Sequence, residues 1–218
     1  MSRLFADRRT AGRELAAMLG RFQDFWPLVL ALPRGGVPVG YEVAAALGVP
    51  LSVLIVRKIG FPGHEEFGIG ALVLAREPEL VMNDALVQRL RPDPQRIRLE
   101  VQRQLAEGER RRALYGATSL PDLHGRTVIV VDDGIATGGT ARAALQALRR
   151  EQPAWIVLAV PVGSPDSLVE LATECDEVVC PHQPADFGAV GAYYDDFTQT
   201  SDAEVLQLLR EAAPAGSG

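Results

Sequence analysis

The sequence has few cysteines and no long uninterrupted apolar run. Its two cysteines, Cys175 and Cys180, have only His182 nearby as a further potential metal ligand. Zinc sites use four ligands and disulfide scaffolds use more cysteines, so the pair is interpreted as two small apolar residues bordering a strand. No apolar segment reaches the ~20 residues of a membrane helix, and the charged N-terminal segment has no signal-peptide core. These absences predict a cytoplasmic protein.

An excess of basic charge is also missing. The 22 basic and 28 acidic side chains give a formal net charge of −6. Such a balance provides no general attraction to nucleic acid or anionic membranes, although it leaves room for a local basic pocket around a phosphorylated ligand. The arginine-rich helix predicted over 94–114 also carries Glu100, Glu107 and Glu109, which is typical of a solvated face. We therefore expect neither a nucleic-acid nor a membrane partner.

Short apolar runs alternate with helical patterns along most of the chain. The pattern predicts strands at 28–32, 51–56, 127–131, 155–160 and 178–180. It predicts helices at 8–19, 37–47, 94–114, 139–149, 164–174 and 202–210. This alternation predicts an α/β fold with a mainly parallel twisted sheet and helices on both faces. Ligands of such sheets bind beyond the carboxyl ends of the strands, so the functional loops should follow residues 32, 56, 131 and 160.

Two segments interrupt this alternation. The glycine-rich stretch 60–70 is predicted to be a mobile loop, and 71–82 a hairpin or two short strands around Glu77-Pro78. Together with 181–200, the region 60–82 is expected to form a small hood on a single domain spanning 1–212. The small-residue tail 213–218 is predicted to be frayed.

The segment VIVVDDGIATGGT, residues 128–140, carries the strongest chemical signal. An apolar strand ends in Asp132 and Asp133, and a loop of small residues then leads into a helix. Three glycines let backbone N–H groups turn inward toward an anion: Gly134, Gly138 and Gly139. The helix start and the hydroxyls of Thr137 and Thr140 add donors, while the carboxylates suit sugar hydroxyls. The pattern predicts a ribose 5-phosphate site; the alternative is an ordinary Asp-Asp-Gly turn.

This segment resembles the phosphoribosyl-pyrophosphate signature of the type I phosphoribosyltransferases. The resemblance covers about thirteen positions without a gap. It implies that Asp132 and Asp133 contact the ribose 2- and 3-hydroxyls. It also implies that one loop holds the 5-phosphate: Ala136, Thr137, Gly138, Gly139 and Thr140.

The turn after the first strand, Pro33-Arg34-Gly35-Gly36, resembles the pyrophosphate loop of the same family. Backbone amides of Gly35 and Gly36 would face the leaving group, and the Arg34 guanidinium is suited to bridging phosphate oxygens. The alternative is a Gly-Gly turn with an exposed arginine.

Arg57 and Lys58 follow the second predicted strand, in a pattern that resembles the start of the flexible catalytic loop of adenine-specific members. Either side chain could stabilise departing pyrophosphate, or the two could be a surface pair. Three polar residues of the loop are candidate general bases or simply solvated: His64, Glu65 and Glu66. Closure of such a loop would exclude water.

The stretch 186–197 is rich in aromatic and glycine residues. Phe187, Tyr193 and Tyr194 could stack on a planar acceptor. Equally, they could pack against the last edge of the sheet.

Taken together, the resemblance implies transfer of ribose 5-phosphate from 5-phosphoribosyl-1-pyrophosphate to an acceptor, usually a ring nitrogen, with release of pyrophosphate. Mg²⁺ would serve as cofactor, reached by Asp132 and Asp133 only indirectly through ribose hydroxyls or water, and a homodimer is expected. The loop after Val160 departs from the purine-salvage pattern, so the acceptor stays unassigned. The alternative is a non-catalytic regulator of the same fold that senses the activated sugar or a nucleotide and binds nucleic acid.

Overall fold

Eight strands and seven α-helices make up the described part of the chain, residues 3–116 and 120–212 of a computed structural model. The strands are β1 (Leu28–Ala31), β2 (Leu51–Val53), β3 (Ile55–Phe61), β4 (His64–Leu74), β5 (Pro78–Met82), β6 (Thr127–Val131), β7 (Trp155–Ala159) and β8 (Glu177–Val179). The helices are α1 (Arg8–Leu19), α2 (Gly36–Leu47), α3 (Asp84–Leu90), α4 (Pro94–Leu114), α5 (Gly139–Arg150), α6 (Pro165–Leu171) and α7 (Asp202–Ala212). Two 3-10 helices, Gly20–Phe25 and Val190–Tyr193, complete the elements. The predicted tail 213–218 lies outside the described residues.

Five strands form an all-parallel sheet in the order β2-β1-β6-β7-β8. The last residues of these strands pair with one another in one row across the sheet: Val53, Ala31, Val131, Ala159 and Val179. The predicted mainly parallel sheet is confirmed. Because every strand ends in the same row, the loops that follow them open along a single edge.

Both faces of this sheet are covered, as the continuous apolar sequence of its strands requires. Val128 and Val130 of β6 pack in a core with α5, α6 and the β4 strand, whereas Ile129 and Val131 pack in a second core with α1 and α2. The strand alternates its side chains between two buried faces. None of the described helices is long and apolar enough to cross a lipid bilayer.

A separate three-stranded antiparallel sheet, in the order β3-β4-β5, packs against α4. Residues 60–70 belong mainly to the β3-β4 hairpin, so their prediction as a loop was wrong. A Cβ on Gly70 would lie 2.6 Å from the Val81 carbonyl oxygen, so this glycine admits the close approach of β5. The hairpin expected around Glu77-Pro78 is confirmed by the β4-β5 pairing.

Two helices begin directly after aspartates whose side chains cap them. Asp7 accepts a hydrogen bond from the Thr10 N–H at the start of α1, and Asp93 accepts one from the Gln95 N–H at the start of α4. The bounds of both helices match the prediction. The strand predicted over 51–56 instead divides into β2 and β3, because the chain leaves the parallel sheet after the Leu54 N–H bonds to the Ala31 carbonyl.

Candidate functional site

The loop after β1 and the loop after β6 touch at the carboxyl edge of the parallel sheet. A Cβ on Gly36 would lie 2.6 Å from the Val131 carbonyl oxygen, and one on Gly35 would lie 2.1 Å from Asp133 Oδ2. Real Cβ atoms do not approach so closely, so a side chain at Gly36 would push the backbones apart and one at Gly35 would displace the Asp133 carboxylate or the turn. The glycines of the predicted pyrophosphate loop therefore lie directly against the acidic pair.

Asp132 and Asp133 are held by hydrogen bonds in a largely buried setting. Asp132 Oδ1 accepts a hydrogen bond from the Asp133 N–H at 2.9 Å, and Asp133 Oδ2 accepts one from Arg8 Nε at 2.8 Å. Burial and the neighbouring Asp133 carboxylate raise the pKa of Asp132 well above its usual value. Burial also raises the pKa of Asp133, although Arg8 opposes this shift. The site thus concentrates oxygen acceptors where hydroxyl donors or a cation would be favoured.

The loop after the acidic pair leads into the start of α5. Gly138 adopts the left-handed backbone conformation, with φ of 71°, and the first bond of the helix runs from the Arg142 N–H to the Gly138 carbonyl. Amides at 139–141 therefore have no carbonyl partner within the helix, and they form the positive end of its dipole. Ala136, Thr137, Gly139 and Thr140 are exposed, while Gly138 is buried. An anion can reach this helix start from solvent.

Neighbouring loops fix the shape of this one. The Ile135 N–H donates to the Val162 carbonyl and the Ser164 N–H donates to the Ile135 carbonyl, at 3.0 and 2.9 Å. Ser167 Oγ donates to the Ala136 carbonyl at 2.6 Å. A Cβ on Gly134 would meet Val190 Cγ1 at 2.5 Å, so the segment around Val190 lies on the loop. The site is bordered by the strand ends on one side and by Val190 on another.

Arg34 lies beside this edge, but its charge is shared. Its Nη1 is 3.7 Å from Asp202 Oδ1, and the Tyr115 hydroxyl donates to the same carboxylate at 2.6 Å. Burial and the Asp202 carboxylate raise the pKa of Tyr115 to about 12. At 3.7 Å the Arg34 contact is an ion pair without a short hydrogen bond, so the guanidinium can turn toward a more highly charged ligand.

Arg57 and Lys58 lie on opposite faces of β3. Arg57 Nε donates to Gln104 Oε1 of α4 at 2.9 Å, and burial lowers the pKa of the Arg57 guanidinium. Lys58, the only lysine of the chain, has an exposed side chain on the other face. Lys58 is the more exposed of the two side chains.

The three candidate bases lie at the tip of the β3-β4 hairpin. His64 is the first residue of β4; it is exposed, with its ring 6.2 Å from that of Phe61. The side chains of Glu65 and Glu66 lie outside the described part of the chain. A base among these residues stays a prediction.

The family of the chain follows from comparison with known proteins. A model of the phosphoribosyl transferase domain matches residues 9–197, which include both loops of the site. The chain belongs to the phosphoribosyltransferase family. A crystal structure of TT1426 from Thermus thermophilus shares 42% identity and superposes with a TM-score of 0.81, covering 96% of this chain and 99% of that one.

Curated relatives of this phosphoribosyltransferase-family chain come from two strains of Mycobacterium tuberculosis, CDC 1551 / Oshkosh and H37Rv. Both are named as phosphoribosyl transferases on the basis of prediction, and both are 44% identical over 221 residues. The alignment covers 99% of this chain and 49% of each relative. The chain therefore spans about half the length of the curated relatives it matches.

Of the two alternatives for Tyr193 and Tyr194, stacking on an acceptor or packing, the structure shows packing inside the phosphoribosyltransferase fold. Tyr193 and Tyr194 are 3% and 2% exposed and belong to a core with Phe5, Ala11 and Val162. Neither ring has a free face for a planar ligand. The Tyr194 hydroxyl donates a hydrogen bond to the Asp133 carbonyl at 2.6 Å, so this tyrosine holds the backbone of the acidic pair in place.

Sequence reasoning missed Arg8, which contacts the acidic pair. The partners Arg8 and Asp133 are 125 positions apart, and their side chains are 10% and 15% exposed. Arg8 occupies the first position of a helix that was predicted correctly, yet nothing in its local sequence indicates a distant carboxylate. Val190, which packs on Gly134, was likewise absent from the predicted site.

The side chains of the site determine how a metal ion could bind there. Within the ranges 3–116 and 120–212, no group of three or more His, Cys, Asp or Glu side chains is arranged to hold one. Asp132 and Asp133 alone provide too few oxygens for an all-protein Mg²⁺ site, but Mg²⁺ commonly retains several waters and binds phosphates of its substrate. The residues fit an ion that is held mainly by substrate and water and contacts the protein indirectly.

Proposed function

We propose that this chain transfers ribose 5-phosphate from 5-phosphoribosyl-1-pyrophosphate to a nitrogenous acceptor and releases pyrophosphate, with Mg²⁺ as cofactor. One observation carries the proposal: the acidic pair, the Gly35-Gly36 turn and the open start of α5 all lie at one edge of the sheet. Carboxylate acceptors, a close backbone turn and a helix start are the three features that a ribose carrying phosphates at both ends requires.

In this proposal the chain's residues mainly bind and orient. Asp132 and Asp133 accept hydrogen bonds from the ribose hydroxyls, which fixes the rotation of the sugar ring. The 5-phosphate lies against the amides and hydroxyls of residues 136–140. With the sugar held at these two points, its anomeric carbon is presented to an acceptor from one direction only.

The leaving group is received by the turn after β1. Gly35 is the glycine of this turn whose amide we assign to the pyrophosphate, because the Gly36 N–H, expected to face the leaving group, instead donates to the Leu32 carbonyl at 3.0 Å. Arg34 provides a planar cation at the same turn. Lys58 is the second cation that we assign to the departing phosphates. When bound, Mg²⁺ supplies positive charge that offsets the charge of pyrophosphate.

The arginines of α4 argue against the alternative of a nucleic-acid-binding regulator. Arg103 pairs with Glu100, Arg110 and Arg111 both pair with Glu107, and Arg112 pairs with Glu109. Hydrogen bonds from the two arginines beside Glu107 lower its pKa to about 2. The helix thus presents alternating charge where a nucleic-acid backbone would need a continuous basic face.

Pyrophosphate release tests the proposal directly. The chain is incubated with 5-phosphoribosyl-1-pyrophosphate and Mg²⁺ and with a panel of purines, pyrimidines, orotate and amines, and released pyrophosphate is measured for each. At least one acceptor should stimulate release above the rate without acceptor. Tight binding of the activated sugar with no release for any acceptor, together with a salt-sensitive gel shift of RNA or DNA, would favour the regulator. No binding of the activated sugar would refute both.

A further inference from the structure

Arg8 makes three contacts, one with Asp133 and two with residues 197 and 198. Its Nε donates to Asp133 Oδ2 at 2.8 Å, its Nη1 donates to the Thr198 carbonyl at 2.7 Å, and its guanidinium carbon lies 4.0 Å from the centroid of the Phe197 ring. A planar guanidinium can make two directed hydrogen bonds and stack on a ring at the same time. The side chain is therefore fixed in position and in rotation.

The main chain of Asp133 is held from the same side. The Tyr194 hydroxyl donates a hydrogen bond to the Asp133 carbonyl at 2.6 Å. The Tyr194 ring lies 5.1 Å from that of Phe197. Arg8, Tyr194 and Phe197 together are called the Asp133 clamp below. The clamp holds the side chain of Asp133 through Arg8 and its backbone through Tyr194.

The clamp is anchored to the rest of the fold at both ends. Asp7 caps α1 through the Thr10 N–H at 2.7 Å, which fixes the helix start that carries Arg8. At the other end, the Asp195 N–H donates to the Phe5 carbonyl at 2.8 Å. Arg8 and Thr198 each lie one residue outside the stretch 9–197 that the family model matches.

Resting on the proposed function, we infer that Arg8 is a positioning residue that orders the Asp133 carboxylate for the ribose hydroxyls before the sugar binds. Arg8 approaches one oxygen of that carboxylate, Oδ2, which also lies against Gly35. The side chain of Asp133 is thus fixed by Arg8 on one side and by the turn after β1 on the other. The remaining oxygen, Oδ1, is directed by this arrangement and is the atom that we assign to the sugar.

Orientation of the Asp133 carboxylate before the sugar binds should strengthen binding, because a carboxylate that is already oriented loses less conformational freedom when it accepts a hydrogen bond. Without Arg8, Asp133 would be buried beside Asp132 with no cation in contact, and its carboxylate could rotate away from the sugar. The effect should fall on the hydroxyl contacts and not on the phosphate contacts at residues 136–140. Arg8 itself does not touch the sugar in this account.

The experiment compares two ligands with the same phosphate group. Ribose 5-phosphate carries the ring hydroxyls, whereas tetrahydrofurfuryl phosphate has a five-membered ring with none. Dissociation constants for both are measured by calorimetry on the wild type, Arg8→Gln and Arg8→Lys. Arg9→Gln is the matched control, because Arg9 is the next residue of the helix and pairs with Glu42 away from the site.

The ratio of the two dissociation constants reports the hydroxyl contacts alone. Partial unfolding would weaken both ligands equally and leave the ratio unchanged, so a merely structural role of Arg8 does not move it. We expect Arg8→Gln to reduce the preference for ribose 5-phosphate by about tenfold, as for loss of one charge-assisted hydrogen bond. Arg8→Lys should restore part of the preference, and Arg9→Gln should match the wild type.

Two negative outcomes are distinguishable. A wild type that binds ribose 5-phosphate no better than tetrahydrofurfuryl phosphate would contradict the proposed function itself. A clear wild-type preference that Arg8→Gln retains in full would overturn the role of Arg8 and leave the proposed function standing.

Discussion

Two adjacent charged pairs follow apolar runs in the sequence, but only one of them follows a strand in the fold. Asp132 and Asp133 come after β6, which ends at Val131, so both lie in the loop at the sheet edge. Arg57 and Lys58 lie within β3, which continues to Phe61, so strand alternation places them on opposite faces. Arg57 is bound by α4, whereas Lys58 is exposed. Only the acidic pair lies in a loop, where both side chains can face one ligand.

The strongest test of this comparison removes the charge of the acidic pair. Asp132→Asn with Asp133→Asn should weaken binding of 5-phosphoribosyl-1-pyrophosphate by more than about 100-fold, because two charge-assisted contacts are lost. The fold should survive, since burial already raises both pKa values and asparagine keeps an oxygen that can accept from Arg8. Calorimetry gives the affinity and thermal unfolding checks the fold. Asp122→Asn, on the surface, is the control, and wild-type affinity in a folded double variant would refute the assigned role.

A smaller effect should come from the turn that lies against the acidic pair. Gly35→Ala places a Cβ 2.1 Å from the present position of Asp133 Oδ2, so the carboxylate or the turn must move. We expect the affinity for the activated sugar to fall by about tenfold and the free energy of unfolding by about 1–3 kcal/mol, as for overpacking. Gly20→Ala serves as control, because a Cβ at Gly20 meets nothing within 4 Å. Equal behaviour of the two variants would show that the contact is unimportant.

The smallest expected effects are those of replacing Arg57 and Lys58, and they should differ in kind. Arg57→Ala should lower the free energy of unfolding by about 1 kcal/mol through loss of the bond to Gln104, and leave the affinity for the activated sugar unchanged. Lys58→Ala should slow pyrophosphate release, because the proposal assigns this side chain to the departing phosphates. Denaturant unfolding and the release assay measure both quantities. The division of roles fails if Arg57→Ala slows release as much as Lys58→Ala does.

Local sequence was sufficient for much of the fold. The predicted starts of α1 and α4 agree with Asp7 and Asp93, whose side chains cap the helices within three residues along the chain. The acidic pair and its loop could also be located, because a strand, a small-residue loop and a helix start are contiguous in sequence. Where the physical cause lies within a few residues, the pattern reveals it.

The errors share a different cause. The glycines of 60–70 indicated a loop, but position 70 has room only for glycine, because residues 81 and 82 of β5 pass close to it. Tyr193 and Tyr194 suggested a stacking surface, but they fill a core with Phe5 from the other end of the chain. Arg8 was missed because its partner is 125 positions away. Each error concerns a contact distant in sequence, which local patterns do not record.

The hydrogen bonds between the loops after β6, β7 and β8 have a consequence for how this site can change over evolution. Ile135 is bonded to Val162 and Ser164, and the Gly163 N–H donates to the His182 carbonyl, so the three loops extend the sheet beyond its strands. A residue inserted into one of them would shift its register against the other two. Such a scaffold should diversify through replacement of side chains at constant loop length, whereas new substrates that require a longer loop would need coordinated changes in all three.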